Sequence, residues 1–169
     1  MGVFIFINMR LLDSIKSILS EEIEWKDGGY DYQHGFCHYF AYDIIGRLRK
    51  LYPERNIRYY ILLGSEYEEG DPNSIQDYLI HVYIAIDNYL LDSNGFTTEE
   101  EAEKRLEEWE ERQYTLIPDD YELVVDIQES NEIPEMFFNN KFCNTKTVRQ
   151  DVKKFLSHPE VRELLQVFS

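Results

Sequence analysis

The sequence predicts an α+β fold in which one helix packs on a small antiparallel sheet and other helices flank that sheet. Apolar residues recur at helical spacing before residue 52 and after residue 144, whereas runs rich in Ile, Tyr, Leu and Val occupy the middle of the chain. Two of those runs are only two residues apart, as in an antiparallel hairpin. The 169 residues, 43% hydrophobic and 15% aromatic, suffice for one folded core, so 1–169 is predicted to be a single domain.

The first third of the chain is predicted to contain a strand, two helices and the loop between them. Residues 2–7 are apolar and short, as in a strand, and residues 9–24 show helical periodicity. Residues 25–35 hold three glycines among polar residues, which is typical of a loop. A second helix is predicted over 36–51 and ends before Pro53. Its apolar stripe comprises Cys37, Phe40, Ala41, Ile44, Ile45, Leu48 and Leu51.

The middle of the chain is predicted to be β-structure built around a tight hairpin. A two-residue turn at Asp87-Asn88 pairs Ile86 with Tyr89 and, in the same register, Tyr83 with Asp92. The predicted strands cover 57–63, 78–86 and 89–93, and the segment 64–77 between the first two, with its glycines and proline, is predicted to be an exposed loop.

The remainder is predicted to hold an acidic helix, one more strand and a C-terminal helical extension. The acidic helix should begin with a capping box, formed either by Thr97 with Glu100 or by Thr98 with Glu101. Its eight Glu side chains are expected to form a solvated face. The predicted ranges are 98–113 for this helix, 121–127 for the strand, about 135–169 for the extension, and 145–157 and 159–168 for its two helices.

The charge of the chain excludes one broad class of function. Lys and Arg together number 17 and Asp and Glu 33, so the formal net charge is −16. Binding along nucleic-acid phosphates needs clustered Lys and Arg, so direct nucleic-acid binding is not expected and a basic partner is favoured. The charge is uneven, at −19 over residues 1–140 and +3 over residues 141–169. A non-catalytic acidic protein that occupies a basic, nucleic-acid-binding surface is therefore an alternative to an enzyme.

Cysteine content and hydropathy predict a cytoplasmic protein without a membrane partner. No apolar run approaches the ~20 residues of a membrane span, and residues 2–7 lack the charge and cleavage site of a signal peptide. Only Cys37 and Cys143 are present, whereas a small secreted domain usually carries more cysteines. Cys143 lies at no predicted helix start and is expected to be a structural or free thiol.

Cys37 has the placement of a reactive thiol, because it begins a predicted helix directly after a loop. A helix N-terminus presents unpaired backbone N–H groups and a partial positive charge, both of which favour thiolate. The same N–H groups are suited to stabilise an oxyanion after attack on a carbonyl. Gly35, just before the cysteine, leaves room for a substrate.

His81 is the predicted partner of this thiol, because a cysteine nucleophile needs a base and this imidazole lies inside an apolar strand. Ile80, Val82, Ile84 and Ile86 are predicted to share the core face of the strand, and His81, Tyr83 and Ala85 the other face. In the hairpin register His81 faces Asn94 and lies diagonal to Asp92 on the same face. Asp92, or Asn94 in its place, is suited to orient the imidazole.

These residues resemble the papain-like cysteine hydrolase superfamily, and most closely its transglutaminase-like and arylamine N-acetyltransferase-like branches. The stretch Gly35-Phe36-Cys37-His38-Tyr39-Phe40-Ala41 is similar to their nucleophile helix, and the hairpin from His81 to Gly95 is similar to their base hairpin. The resemblance covers residues 33–48 and 78–97. It implies a nucleophilic Cys37, a general base at His81 and an orienting acid at Asp92.

The same resemblance marks where this chain departs from the family. The papain type has a Gln six residues before the cysteine as oxyanion donor, whereas here Gln33 precedes Cys37 by four. The Trp that usually follows the cysteine is His38. The predicted supporting residues of the site are Gln33, His38, Tyr83 and Asn94.

The resulting prediction is a cysteine-dependent acyl-transfer enzyme that needs no cofactor and no metal. Its substrate would be a protein, a peptide or a small amide or ester, and hydrolysis, deamidation and transamidation all remain open. A zinc site formed by His34, Cys37, His38 and His81 is disfavoured, because the spacing matches no standard zinc module. A buried, inert thiol and a structural histidine are the non-catalytic interpretation of the same residues.

Overall fold

The computed structural model describes residues 37–71, 73–93, 95–138 and 145–167. These residues form an α+β fold in which helices cover both faces of a five-stranded antiparallel sheet, so the predicted fold class is confirmed at this level. The helices are α1 (Cys37–Leu51), α2 (Glu99–Tyr114), α3 (Thr145–Ser157) and α4 (Pro159–Val167), with a short 3₁₀ helix at Glu135–Phe138. The strands are β1 (Ile57–Glu68), β2 (Gln76–Ile86), β3 (Tyr89–Asp92), β4 (Gly95–Thr97) and β5 (Tyr121–Ser130), in the spatial order β4-β3-β2-β1-β5. The elements predicted over 2–7, 9–24 and 25–35 lie outside the described residues.

Alternation along the strands sends side chains into two separate cores, one on each face of the sheet. The first core joins the sheet to α1, α3 and α4, and the second joins it to α2. From the strands, the first core takes Ile57, Tyr59, Ile61, Val82, Ile84, Ile86 and Leu91, and the second takes Tyr60, Leu62, Tyr83 and Leu90. The sheet is therefore the middle layer of three, and residues on its two faces meet different helices.

A β-bulge in β2 interrupts this alternation just before His81. Leu62 pairs with His81 but the next residue, Leu63, pairs with Leu79, so Ile80 is the extra residue. The prediction that Ile80 shares a face with Val82 is wrong, because Ile80 packs against the second core. Leu79 packs against the first core instead. The bulge thus changes which side chains face each core immediately beside the histidine.

The hairpin prediction is confirmed, whereas the predicted loop over 64–77 is too long. Ile86 pairs with Tyr89, and Asp87 adopts the positive φ of 54° that a two-residue turn requires. β1 continues to Glu68 and β2 begins at Gln76, so half of the predicted loop is strand. The glycine that suggested a turn, Gly64, lies within β1 against the ring of Trp109, where a Cβ would lie 2.5 Å from Cη2. β4 was not predicted.

The helix predictions that fall on described residues are confirmed to within one residue at each end. The apolar stripe of α1 is buried from Cys37 to Leu48, but Leu51 at its end is 60% exposed. Thr98 is the N-cap of α2 and forms the capping box with Glu101, which settles the choice between the two predicted boxes. α3 packs on α1 through Phe155, whose ring lies edge-on to Phe40 at 5.3 Å. Within the described residues, every helix is too short or too polar to cross a membrane.

Candidate functional site

Helix α1 brings Cys37 to the sheet as its first helical residue. The helix is amphipathic, and its packing on β1 and β2 through the first core fixes the position of its N-terminal turn. The thiol is free and the residue is only 3% exposed. Cys37 is the first residue of α1 that the structure describes.

The β2–β3 hairpin brings His81 and Asp92 together. His81 Nε2 lies 2.9 Å from Asp92 Oδ2, and both residues are buried. An ionised carboxylate only accepts hydrogen bonds, so Nε2 carries the proton and donates to Oδ2. The other ring nitrogen, Nδ1, is also buried and has no other hydrogen-bond partner among the described residues. Nδ1 is therefore the nitrogen left for the thiol.

The thiol and the imidazole lie close enough to shift each other's ionisation. Burial alone raises the pKa of the Cys37 thiol, but the charge of His81 and the close approach of the His38 and His81 imidazoles outweigh it and lower that pKa to about 6. Burial alone lowers the pKa of His81, but the Cys37 charge and the hydrogen bond to Asp92 raise it above its ordinary value. Both shifts favour a thiolate beside an imidazolium at neutral pH.

Helix α2 contributes a residue to the site, Arg105, that was not among the predicted site residues. Arg105 Nη1 lies 3.9 Å from Asp92 Oδ2 and donates to the Tyr83 hydroxyl at 3.5 Å. The guanidinium therefore offsets the carboxylate charge and fixes its position from the second core. The signal available in the sequence was a basic residue on the same side of an acidic helix as Ala102 and Leu106, both of which are buried.

Tyr83 and His38, two of the predicted supporting residues, both lie beside this group. The Tyr83 ring is edge-on to His81 at 4.4 Å, and burial raises the pKa of its hydroxyl to about 12, so it stays protonated. His38 is 4% exposed, and its ring lies 4.3 Å from that of Tyr39 and 5.3 Å from that of Phe138. Neither ring nitrogen of His38 has a hydrogen bond of good geometry among the described residues.

The other predicted supporting residues, Gln33 and Asn94, lie outside the described residues, as do His34 of the disfavoured zinc site and the second thiol, Cys143. Among the described residues, no three His, Cys, Asp or Glu side chains are arranged to hold a metal ion. The structure thus brings Cys37, His81 and Asp92 together from one helix and two strands. A thiolate with a proton carrier and a carboxylate behind it can attack an electrophilic carbonyl and return a proton to the leaving group.

No family model matches the sequence, and no curated protein or solved structure matches the chain.

Proposed function

We propose that the protein is a cysteine-dependent acyl-transfer enzyme. Cys37 is the nucleophile, His81 moves the protons, and Asp92 orients and stabilises the imidazolium. The observation that carries the proposal is the buried hydrogen bond between His81 and Asp92, with the Cys37 thiol close enough to His81 for the thiol pKa to fall to about 6. Burial by itself disfavours a thiolate, so this ionisation depends on the neighbouring groups.

The proposed reaction has two half-reactions with one proton carrier. The thiolate attacks the substrate carbonyl, a sulfur–carbon bond forms, and the carbonyl electron pair moves to oxygen. The oxyanion then collapses, the leaving group departs with the proton of His81, and a thioester remains on Cys37. In the second half-reaction, water or an amine attacks the thioester while His81 takes its proton, and the thiolate departs. The thiolate and imidazolium are thereby restored.

The resemblance to the papain-like superfamily supports the same assignment. The nucleophile at a helix start, the base on a strand and the acid after a short hairpin occur here in the order that the resemblance implies. We include in the proposal a papain-like or transglutaminase-like arrangement of this α+β fold. We also include a cytoplasmic location, because a chain with only two cysteines suits a reducing compartment. A substrate with basic character suits the net charge of −16.

A small acyl donor tests the proposal without knowledge of the natural substrate. Cys143→Ser leaves Cys37 as the only thiol. Incubation with p-nitrophenyl acetate should acetylate the peptide that contains Cys37, as detected by mass spectrometry. Cys37→Ala should abolish the adduct and His81→Ala should slow its formation by at least about 100-fold.

His158 lies between α3 and α4 and serves as the matched control. The variant His158→Gln should react at the wild-type rate. Failure of the wild type to form the thioester, or formation at the same rate in His81→Ala, would refute the assignment of these roles.

A further inference from the structure

The imidazole of His38 is a polar group buried beside the nucleophile, and its contact with the Cys37 thiol is not a hydrogen bond of good geometry. The residue is 4% exposed, and neither Nδ1 nor Nε2 has a partner of good geometry among the described residues. Buried polar groups are almost always hydrogen-bonded, because an unsatisfied one loses its hydration without compensation. An imidazole kept in such a place calls for a partner that arrives with a ligand or a reaction step.

The position of the ring shows where that partner would bind. His38 lies in the first turn of α1, next to Cys37, and its contact with the thiol lowers the thiol pKa, as donation of a hydrogen bond to sulfur does. The ring is held between Tyr39 and Phe138, and the Tyr39 hydroxyl fixes that contact by donating to the Phe138 carbonyl at 2.8 Å. His38 is therefore an N–H donor whose ring is held in place beside the thiol.

The two histidines beside the thiol differ in one respect that separates their tasks. His81 is hydrogen-bonded to Asp92, which stabilises an imidazolium and suits a proton carrier. Neither nitrogen of His38 is hydrogen-bonded to a carboxylate among the residues that the structure describes. An imidazole donates at least one N–H in either protonation state, so His38 is suited to stabilise a negative charge by hydrogen bonding alone.

We propose that His38 is the side-chain donor of the oxyanion site. The proposal rests on the function proposed above. Before attack the His38 N–H faces the thiolate. When the sulfur–carbon bond forms and the carbonyl electron pair moves to oxygen, the negative charge leaves sulfur, and the same N–H donates to the new oxyanion together with the backbone N–H groups at the start of α1. No proton leaves His38 in this step. The role is the one for which the papain type uses a glutamine.

Two reagents separate this role from a general effect on the thiol. Iodoacetamide alkylates a thiolate at a saturated carbon and forms no oxyanion, whereas p-nitrophenyl acetate forms a tetrahedral oxyanion. Both rates are measured in the Cys143→Ser protein across pH, and the plateau values at high pH are compared, so that a change in thiol ionisation cancels. His38→Leu removes the donor at similar size, and His38→Gln keeps an N–H donor.

The proposal predicts that removal of the His38 donor slows acetylation but not alkylation. His38→Leu should lower the plateau rate of acetylation by about 10²- to 10³-fold and change the plateau rate of alkylation by less than about threefold. His38→Gln should recover at least tenfold of the lost acetylation rate. His38→Met serves as a second donor-free variant, and circular dichroism confirms that each variant folds.

Three outcomes would overturn the proposal, and they can be told apart. Equal loss of both rates in His38→Leu would show that His38 acts only on the thiolate. Unchanged acetylation would show that His38 has no part in the reaction. A wild-type Cys37 that alkylates but never acetylates would refute the proposed function itself, and the role of His38 with it.

Discussion

Removal of the His81 imidazole should change how the reactivity of Cys37 depends on pH. The pKa of the thiol is lowered from 9.0 to about 6, and although burial opposes ionisation, the charge of His81 is the largest of the causes that favour it. A thiol with a pKa of about 6 is about 90% ionised at pH 7, compared with about 1% for one with a pKa of 9.0. In His81→Ala the thiol should therefore titrate near its ordinary value.

The reactivity of each thiolate changes in the opposite direction. With a Brønsted slope of about 0.4–0.5, a thiolate of pKa about 6 is about 15- to 30-fold less nucleophilic than one of pKa 9.0. Combining both effects, wild type should react about 30- to 60-fold faster than His81→Ala at pH 5 and about 3- to 6-fold faster at pH 7. Above about pH 8 the order should reverse, because both thiols are then substantially ionised.

Alkylation by iodoacetamide in the Cys143→Ser background measures both profiles. Burial of Cys37 slows access of the reagent by the same factor at every pH. It therefore lowers the whole rate profile without moving the midpoint of that profile. His81→Gln, which keeps a polar side chain next to Asp92, is a second variant should His81→Ala fail to fold. The reasoning would be refuted by a wild-type midpoint near pH 9, or by wild-type and variant profiles with the same midpoint.

Four further substitutions test the site and the packing of the fold. Asp92→Asn removes the carboxylate that stabilises the imidazolium, so acetylation of Cys37 should fall by at least about 100-fold while thermal unfolding still shows a folded protein; an unchanged rate would exclude Asp92 from the site. Gly64→Ala should destabilise the fold by about 1–3 kcal/mol in urea unfolding, because the new Cβ meets the Trp109 ring. In Gly46→Ala, within α1, the new Cβ meets nothing within 4 Å, so this variant should be more stable than wild type by about 0.5–1 kcal/mol. If Gly46→Ala proved less stable than Gly64→Ala, this packing would be contradicted. Thr98→Ala should cost about 1 kcal/mol through loss of the capping box, and no change in unfolding free energy would show that the box does not hold α2.

The parts of the fold that follow from local patterns could be predicted from the sequence. Helical periodicity and the proline after it located α1, and the Asp87-Asn88 turn set the register that pairs Ile86 with Tyr89. That register carries Asp92 to the face of His81, and the two side chains are hydrogen-bonded. The approach of Cys37 to His81 was predicted from the chemistry that both residue types perform, not from any local pattern.

The parts that depend on distant contacts could not be predicted in the same way. The bulge at Ile80 arises from the pairing of β2 with β1, and no residue in β2 signals it. Gly64 suggested a turn because glycine is common there, but its role is to let Trp109 of α2 approach the sheet. Arg105 joins the site because α2 packs on the second core, a contact between elements far apart in the sequence.

The account depends on an ion pair between the Cys37 thiolate and the His81 imidazolium, and nitrogen NMR of the histidines measures it most directly. Burial lowers the pKa of His81 and the thiolate charge is the largest cause that raises it, so the imidazolium should persist to higher pH in wild type than in an ordinary histidine. In Cys37→Ala, which removes that charge, the midpoint of the His81 titration should move to lower pH. We expect both ring nitrogens of His81 to carry protons in most wild-type molecules at pH 6.5, the ordinary pKa of a histidine. A mostly neutral His81 at pH 6.5, with a midpoint that does not move in Cys37→Ala, would contradict the ion pair.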